Sequence, residues 1–432
     1  AHHPVSGGNP TTYDAIIVGA GAGGLTAAAY LAKSGRRVLL LEKEAQCGGL
    51  VNSFERSGFV FDGGIRALED AGVLFTMLRQ LGIALDFIKN RISIGIEDKF
   101  LTVDSNQAMD DYGRMLAELY PESKKEIAAI VADLRVITRY MNIQYGIDNP
   151  LFLDPKKDGK YFIKKVIPWM FSYALTVGKV MKKNQPVLPY LKNFTKNPAL
   201  LDIITQHFFA ETPAYFALSY FKIFQEYYYP RGGTGAFTRA LVNFINKHGR
   251  EIRTETKVEG IDLREKQVRV AGGEGIAYRQ LVWAADQKSL YAMIDESQIG
   301  DEKARAAVTA RKQLIADKKG SDSVFTLYLS VDLDRSYFAN IATGHFFYTP
   351  SRAGQTAAGE MPLNGEKKET LSWLQRFPGL TTYEIAIPVL RDSNLAPAGK
   401  SGLVISFLFD YELAKVVQER GRDKALREKT AK

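Results

Sequence analysis

One cysteine, Cys47, and five histidines, two of them His2 and His3, are all that this 432-residue chain offers towards disulfides or a metal centre. A single thiol closes no internal bridge, which fits a reducing compartment, and we expect no metal site. Apolar reach is short where it matters. The uncharged stretch 166–178 (VIPWMFSYALTVG) has thirteen residues and contains Pro168, against the ~20 apolar residues that cross a bilayer. The first twelve residues lack an apolar core, so no signal peptide is expected. Hydrophobic residues at 46% and charged residues at 24% exclude wholesale disorder and collagen-like chains. At roughly 150 residues per domain, the length implies two or three domains.

The charge is unevenly placed. From Lys156 to Lys196 there are ten lysines and one acid, Asp158, so this segment carries the whole net charge of +9 and the remainder balances. A basic patch without an arginine-rich reading motif points to an anionic surface and away from nucleic acid. Inside it, residues 166–178 are flanked by Lys164 and Lys165 on one side and by Lys179, Lys182 and Lys183 on the other. Such a helix either lies in a membrane interface with its cations near lipid phosphates or forms a core helix with solvated ends. Periodicity does not separate the two. The expected location is cytoplasmic, peripheral at the inner face of a membrane if the first reading holds.

The strongest chemistry follows the leader. A β-branched run over 15–18 leads into Gly19-Ala20-Gly21-Ala22-Gly23-Gly24, an Ala-rich helix over 25–33, and a second buried strand over 38–41 that closes with Glu42. Gly19 permits the tight turn, Gly21 lets backbone approach a pyrophosphate, and Gly24 lets helix and strand pack closely. The helix start then faces the anion with unpaired N–H groups. Glu42 stands where a carboxylate accepts from ribose hydroxyls and repels a 2′-phosphate. At this point the dinucleotide is NAD or FAD.

Further segments follow in order: Glu42-Lys43, Cys47-Gly48-Gly49-Leu50, Phe59-Val60-Phe61-Asp62-Gly63-Gly64, Tyr229-Pro230-Arg231-Gly232-Gly233-Thr234-Gly235, Leu281-Val282-Trp283-Ala284-Ala285-Asp286, and a loop from Arg391 through Ala396-Pro397 to Gly399-Lys400. In this order they resemble the phytoene desaturase, carotenoid isomerase and retinol saturase family of flavoproteins. The resemblance implies an α/β fold: a Rossmann-type FAD-binding domain of the amine-oxidase kind, with an α+β substrate domain that holds a mixed sheet and a helical part, membrane-associated if the interfacial reading of the basic segment holds. It implies FAD at Gly19, Gly21, Gly23, Gly24, Glu42, Lys43, Gly49, Leu50 and Gly64, the backbone of Val258 against adenine, and Ala285 and Asp286 beside the cofactor. The implied division is FAD-binding segments at 13–66 and 229–290, a helical substrate region at 67–228, a substrate-domain sheet at 291–410, and a charged C-terminal helix at 411–432. The family's closing glycine-rich segment, roughly GL..aG....pG.G, does not occur in these 432 residues.

Elsewhere the pattern predicts helices over 126–140 and 237–247 and strands over 251–258, 323–331, 383–390 and 402–409. Between His207 and Tyr229 ten of twenty-three residues are aromatic, against 11% overall. Phe208, Phe209, Tyr220, Phe224 and Tyr228 are the candidates to line a tunnel for a long apolar ligand, an aromatic core being the plainer reading of any one of them. Residues 345–348 are expected near the second sheet, with His345 a buried or surface histidine. No Ser/His/Asp or Cys/His constellation appears, and no catalytic side chain is assigned. Glu211 sits inside the aromatic segment, where a base would stand, though a surface carboxylate is the plainer reading. The resemblance implies an FAD-dependent oxidoreductase acting on an apolar polyene or isoprenoid by desaturation, saturation or redox-assisted isomerisation through hydride exchange at flavin N5. Two alternatives stay open: an amine-oxidase-type flavoenzyme, and a non-catalytic prenyl-binding protein of the GDP-dissociation-inhibitor type, against which Glu42 and the glycine fingerprint count.

Overall fold

The computed structural model describes residues 12–154, 156–318, 323–364 and 366–420. The first eleven residues and the last twelve, which hold His2, His3 and the end of the expected C-terminal helix, lie outside it.

Strand Tyr13–Val18 is apolar along both faces, so it needs cover on both. It lies inside a six-stranded sheet, parallel to Val38–Leu41 on one side and to Gly275–Trp283 on the other. Helices Ala22–Lys33, Leu74–Leu81 and Gly235–Lys247 bury Ile17 and Leu40 on one face. On the other face Ile16, Leu39 and Leu41 meet Val258, Val268 and Val270 of the antiparallel extension Val258–Asp262 and Gln267–Val270.

The single strand expected over 251–258 is two strands, Glu251–Arg253 and Val258–Asp262. Between them Glu255 adopts φ 51°, while the amides of Glu255 and Thr256 donate to the carbonyls of Glu44 (3.0 Å) and Glu42 (2.7 Å). The chain leaves strand geometry to clasp the end of the Val38–Leu41 strand.

The second sheet runs Ser323–Val331, Ser401–Phe409, Tyr383–Ala386, His345–Thr349, Ile92–Ile96, Lys99–Val103. It is mixed, because His345–Thr349 and Ile92–Ile96 pair in parallel while the other neighbours are antiparallel. The strand expected over 383–390 stops at Ala386 and becomes a 3₁₀ turn, Pro388–Leu390, since Pro388 has no N–H for a ladder. The region 67–228 is not helical throughout, for two of its strands belong to this sheet. Its first long helix is Ala108–Leu119, followed by Lys124–Tyr145, which contains the expected 126–140. These helices and Pro198–Thr205 pack their apolar stripes on one face of the second sheet.

The basic segment forms helix Ile167–Met181, which continues directly from a π-helical stretch, Phe162–Val166, with Pro168 at the junction of the two. Among the described residues no helix is long and apolar enough to cross a membrane.

Candidate flavin crevice and apolar cavity

The 19–24 turn joins strand Tyr13–Val18 to helix Ala22–Lys33, and its glycines are not equivalent. A methyl on Gly24 would stand 1.9 Å from the Gly19 carbonyl oxygen, so this position accepts no side chain; one on Gly21 or Gly23 meets nothing within 4 Å. The turn is tight behind and open in front, where the first-turn N–H groups of the helix are free to meet an anion.

Glu42 is buried and braces this turn. Its Oε2 accepts from the amide of Ala20 at 2.7 Å and its Oε1 from that of Glu44 at 3.0 Å. Each oxygen keeps lone-pair capacity for a further donor. Gly48 donates to the carbonyl of Ala20 at 2.8 Å, bringing Gly49 against Gly21 and leaving Leu50 exposed at the rim. Gly64 closes the line, because a methyl there would lie 2.1 Å from the Leu50 carbonyl oxygen. Ala284 donates to the carbonyl of Val18 at 2.8 Å, and so sets Ala285 beside Gly19.

Of the remaining candidates, Val258 is buried at a strand start, held near Glu42 by the 255–256 clasp. Lys43 is exposed and pairs with Glu44 at 3.5 Å. Asp286 caps helix Gln287–Met293 through the amide of Ser289 at 2.7 Å, a bond that holds its carboxyl below the usual carboxylate range. The open front of Gly21, the free amides and the half-occupied Glu42 carboxylate together fit a dinucleotide. Among the described residues no cluster of three or more His, Cys, Asp or Glu side chains could hold a metal ion.

The aromatic segment encloses an apolar cavity against the inner face of the second sheet, lined by Phe208, Tyr220, Phe221, Phe224, His207 and Phe347. Its free space is about 50 Å³, far below the ~300 Å³ of the smaller ligand sites, so an occupant enters only as rings rotate aside. Burial lowers the pKa of His207 to about 4 and pushes the Tyr220 phenol up to about 12. Both are therefore neutral at physiological pH.

Phe209 and Tyr228 fall outside this cavity. Phe209, 40% exposed, lies with Glu211 along an outer groove of about 750 Å³, which reaches the cavity through Phe208. Glu211 is a surface carboxylate, not an inner base. Tyr228 points the opposite way from its neighbours in strand Tyr227–Pro230 and packs edge-on against Phe75, centroids 4.7 Å apart. Tyr227 instead stands behind the cavity wall, edge-on to Phe224 at 5.7 Å and stacked beside His345 at 6.3 Å. Period-two alternation through three consecutive tyrosines was the available signal.

Two buried groups have bonding partners that the sequence did not disclose. His345 is 2% exposed and contacts Glu384 Oε1 through Nε2 at 2.9 Å. Asp62 is 1% exposed; its Oδ1 accepts from Ser53 Oγ at 2.9 Å and from the Thr234 amide at 2.8 Å, and its Oδ2 from the Tyr229 hydroxyl at 2.8 Å.

Residues 22–309 match the family described as flavin containing amine oxidoreductase. The chain is 27% identical over 289 residues to the chloroplastic prolycopene isomerase of Arabidopsis thaliana, a match covering 62% of this chain and 46% of that one. It is 22% identical over 459 residues to the all-trans-retinol 13,14-reductase of Rattus norvegicus, covering 94% of this chain and 70% of that one. The chain thus spans about half the length of the isomerase it matches. Among solved structures, an oxidoreductase from Methanosarcina mazei shares the fold, with a TM-score of 0.59 at 14% identity over 94% of this chain and 82% of that one.

Proposed function

This chain belongs to the flavin containing amine oxidoreductase family, and from that premise we propose that it is an FAD-dependent oxidoreductase of an apolar polyene or isoprenoid. The observation that carries the reading is a contact: Arg66, on the loop that closes the crevice at Gly64, donates to Ser406 at 2.7 Å, in the row of the second sheet that holds Phe347 of the aromatic cavity. The relatives named for prolycopene and all-trans-retinol support that substrate class.

Bound there, the flavin would supply a two-electron acceptor or donor for hydride at carbon. The chain's own residues do the rest. The first-turn amides of helix Ala22–Lys33 would hold the diphosphate, Glu42 would take a ribose hydroxyl, and the rings around Phe224 and Phe347 would hold an unreactive hydrocarbon in place and keep water out. An amine substrate is less well served, since no carboxylate is among the described residues that line the cavity. A prenyl carrier has no use for the dinucleotide crevice.

The test is purification of the full-length protein, identification of its released flavin, and incubation with prolycopene and with all-trans-retinol, flavin oxidised or pre-reduced. A changed polyene is expected. No change with either polyene, together with flavin reduction by putrescine, defeats the reading in favour of amine oxidation.

We place the basic helix at a lipid surface. Ile163, Met170, Phe171 and Leu175 are 69, 57, 71 and 74% exposed, and Lys164, Lys165, Lys179 and Lys182 beside them are exposed as well. Lys183 takes no part, being tied to Asp133 at 2.7 Å. Val187 and Leu188, a few residues on, line the outer groove, so a docked helix sets that groove at the lipid. Vesicles containing phosphatidylserine are expected to pull the protein down at low salt, and Phe171→Ser with Leu175→Ser to weaken this several-fold. Equal recovery of both proteins counts against the dock.

A further inference from the structure

We infer that Glu384 is the residue that takes up the proton when a polyene is oxidised in the aromatic cavity, with His345 as its positioning residue. This rests on the functional reading above.

The pairing register supplies the location. One row across the inner face of the second sheet reads Ile94, Phe347, Glu384, Ser406, Thr326. Ile94 and Phe347 line the cavity. Ser406 accepts from Arg66 Nη2 at 2.7 Å, and Arg66 in turn donates to the carbonyls of Asp62 and Gly64, the loop that closes the flavin crevice. Glu384 therefore stands one strand from the cavity wall and one strand from the contact to the flavin loop.

Its hydrogen bonds point one way. Arg391 Nη1 faces Asn90 Oδ1 at 3.4 Å, so the Asn90 amide nitrogen is the atom turned towards His345 Nδ1, at 3.1 Å. That makes Nδ1 an acceptor and leaves the imidazole proton on Nε2, which donates to Glu384 Oε1 at 2.9 Å. Every donor in the chain is directed at the carboxylate, and a carboxylate so held is fixed as an acceptor. Among the described residues Oε2 has no partner, although the side chain keeps only 34% of its exposure. Oε1 is committed to His345, whereas the partly exposed Oε2 is open to a proton donor from outside the chain.

The charged and titratable groups around it are His345, Arg66 and Arg391 on the flavin side, and His207, Tyr220 and Tyr227 on the cavity side, with Glu69 beyond those tyrosines. Burial pushes the Glu384 carboxyl up, but the hydrogen bond from His345 and the charges of Arg66 and Arg391 together outweigh it and hold it below its ordinary value. The group is ionised at neutral pH.

The step balances. A saturated carbon beside the polyene gives a hydride, with both electrons of its C–H bond, to the oxidised flavin, and a delocalised cation is left. The neighbouring C–H bond then breaks, its electron pair forms the new double bond, and its proton goes to Glu384 Oε2. Such a proton is acidic enough for a weak carboxylate to remove, and the buried negative charge stabilises the cation before it leaves.

The experiment uses full-length holoprotein mixed anaerobically with all-trans-13,14-dihydroretinol across acid and neutral pH, flavin bleaching being followed. Glu384→Gln is expected to keep its flavin spectrum and melting temperature and to bleach about 100-fold more slowly or worse. His345→Gln, which weakens the bond that favours the ionised form, is expected to move the acid limb of the wild-type profile to higher pH. In flavin-free protein, an infrared carboxylate band absent from Glu384→Gln should titrate below the ordinary 4.5. Unchanged bleaching in Glu384→Gln, or a Glu384 carboxyl that is neutral at neutral pH, overturns the assignment alone. A wild-type protein that does not bleach with this polyene overturns the functional reading and the proton step with it.

Discussion

Gly24→Ala is expected to yield a colourless protein that unfolds with about 3 kcal/mol less stability, the upper part of the range for an overfilled contact. The added methyl would meet the Gly19 carbonyl oxygen at 1.9 Å and the Ala284 side chain at 3.3 Å. Neither backbone can yield without moving helix Ala22–Lys33 off strand Tyr13–Val18, and the buried face of that helix is Leu25, Ala28, Ala29 and Ala32. The paired control is Gly21→Ala. Gly21 has φ −70°, which alanine adopts freely, and an added methyl there touches nothing within 4 Å. It should fold with unchanged stability and lose only flavin affinity, because the methyl would fill the space where a diphosphate belongs. Chemical denaturation and flavin titration separate the two outcomes. Equal flavin affinity in Gly21→Ala and wild type would remove the crevice from the functional reading.

Asp62→Ala carries a comparable penalty for a different reason. The carboxylate gathers the Ser53 hydroxyl, the Thr234 amide and hydroxyl, and the Tyr229 hydroxyl, all within 2.8 to 2.9 Å. The Arg391 guanidinium, 3.8 Å above the Tyr229 ring, stands 4.0 Å from Asp62. Removing the acceptor strands all of these buried donors and leaves the arginine without its counter-charge, which costs about 3–5 kcal/mol. Asp62→Asn keeps the shape and part of the bonding, so it should lose less. A melting temperature within error of wild type for Asp62→Ala would show that the clasp contributes nothing.

The nucleotide half of the molecule was legible because its constraints are local. A β-branched run, a glycine turn and an alanine-rich helix each dictate their own backbone, and the strand over 38–41 appears as read. Two adjacent strands of the second sheet were also foreseen, since Ser323–Val331 and Ser401–Phe409 are long and β-rich. What escaped depends on partners distant in sequence. Ile92–Ile96 forms a local hairpin with Lys99–Val103, a signal that was passed over, but its parallel partner His345–Thr349 cannot be read from residues near 92. Asp62 looked like part of a flavin motif, yet its visible work is to tie the 53–62 hairpin to the return segment at Tyr229 and Thr234. Glu384 and His345 sit on separate strands with ordinary neighbours in sequence, so only the register of the sheet joins them. Tyr228 was chosen for its ring alone, and the alternation of an extended chain turned that ring away.

The inner strand of the nucleotide sheet also has a bearing on how the chain comes off the ribosome. Tyr13–Val18 is made first, yet one of its two flanking partners, Gly275–Trp283, is made only after the whole sheet-and-helix insertion between them. Until Trp283 emerges, the unpaired side of that early strand and the apolar faces meant for Val258, Val268 and Val270 stand open to water. Closing a parallel pair across so long a loop is slow. In the meantime the open side of Tyr13–Val18 is a surface on which the nascent chain can aggregate.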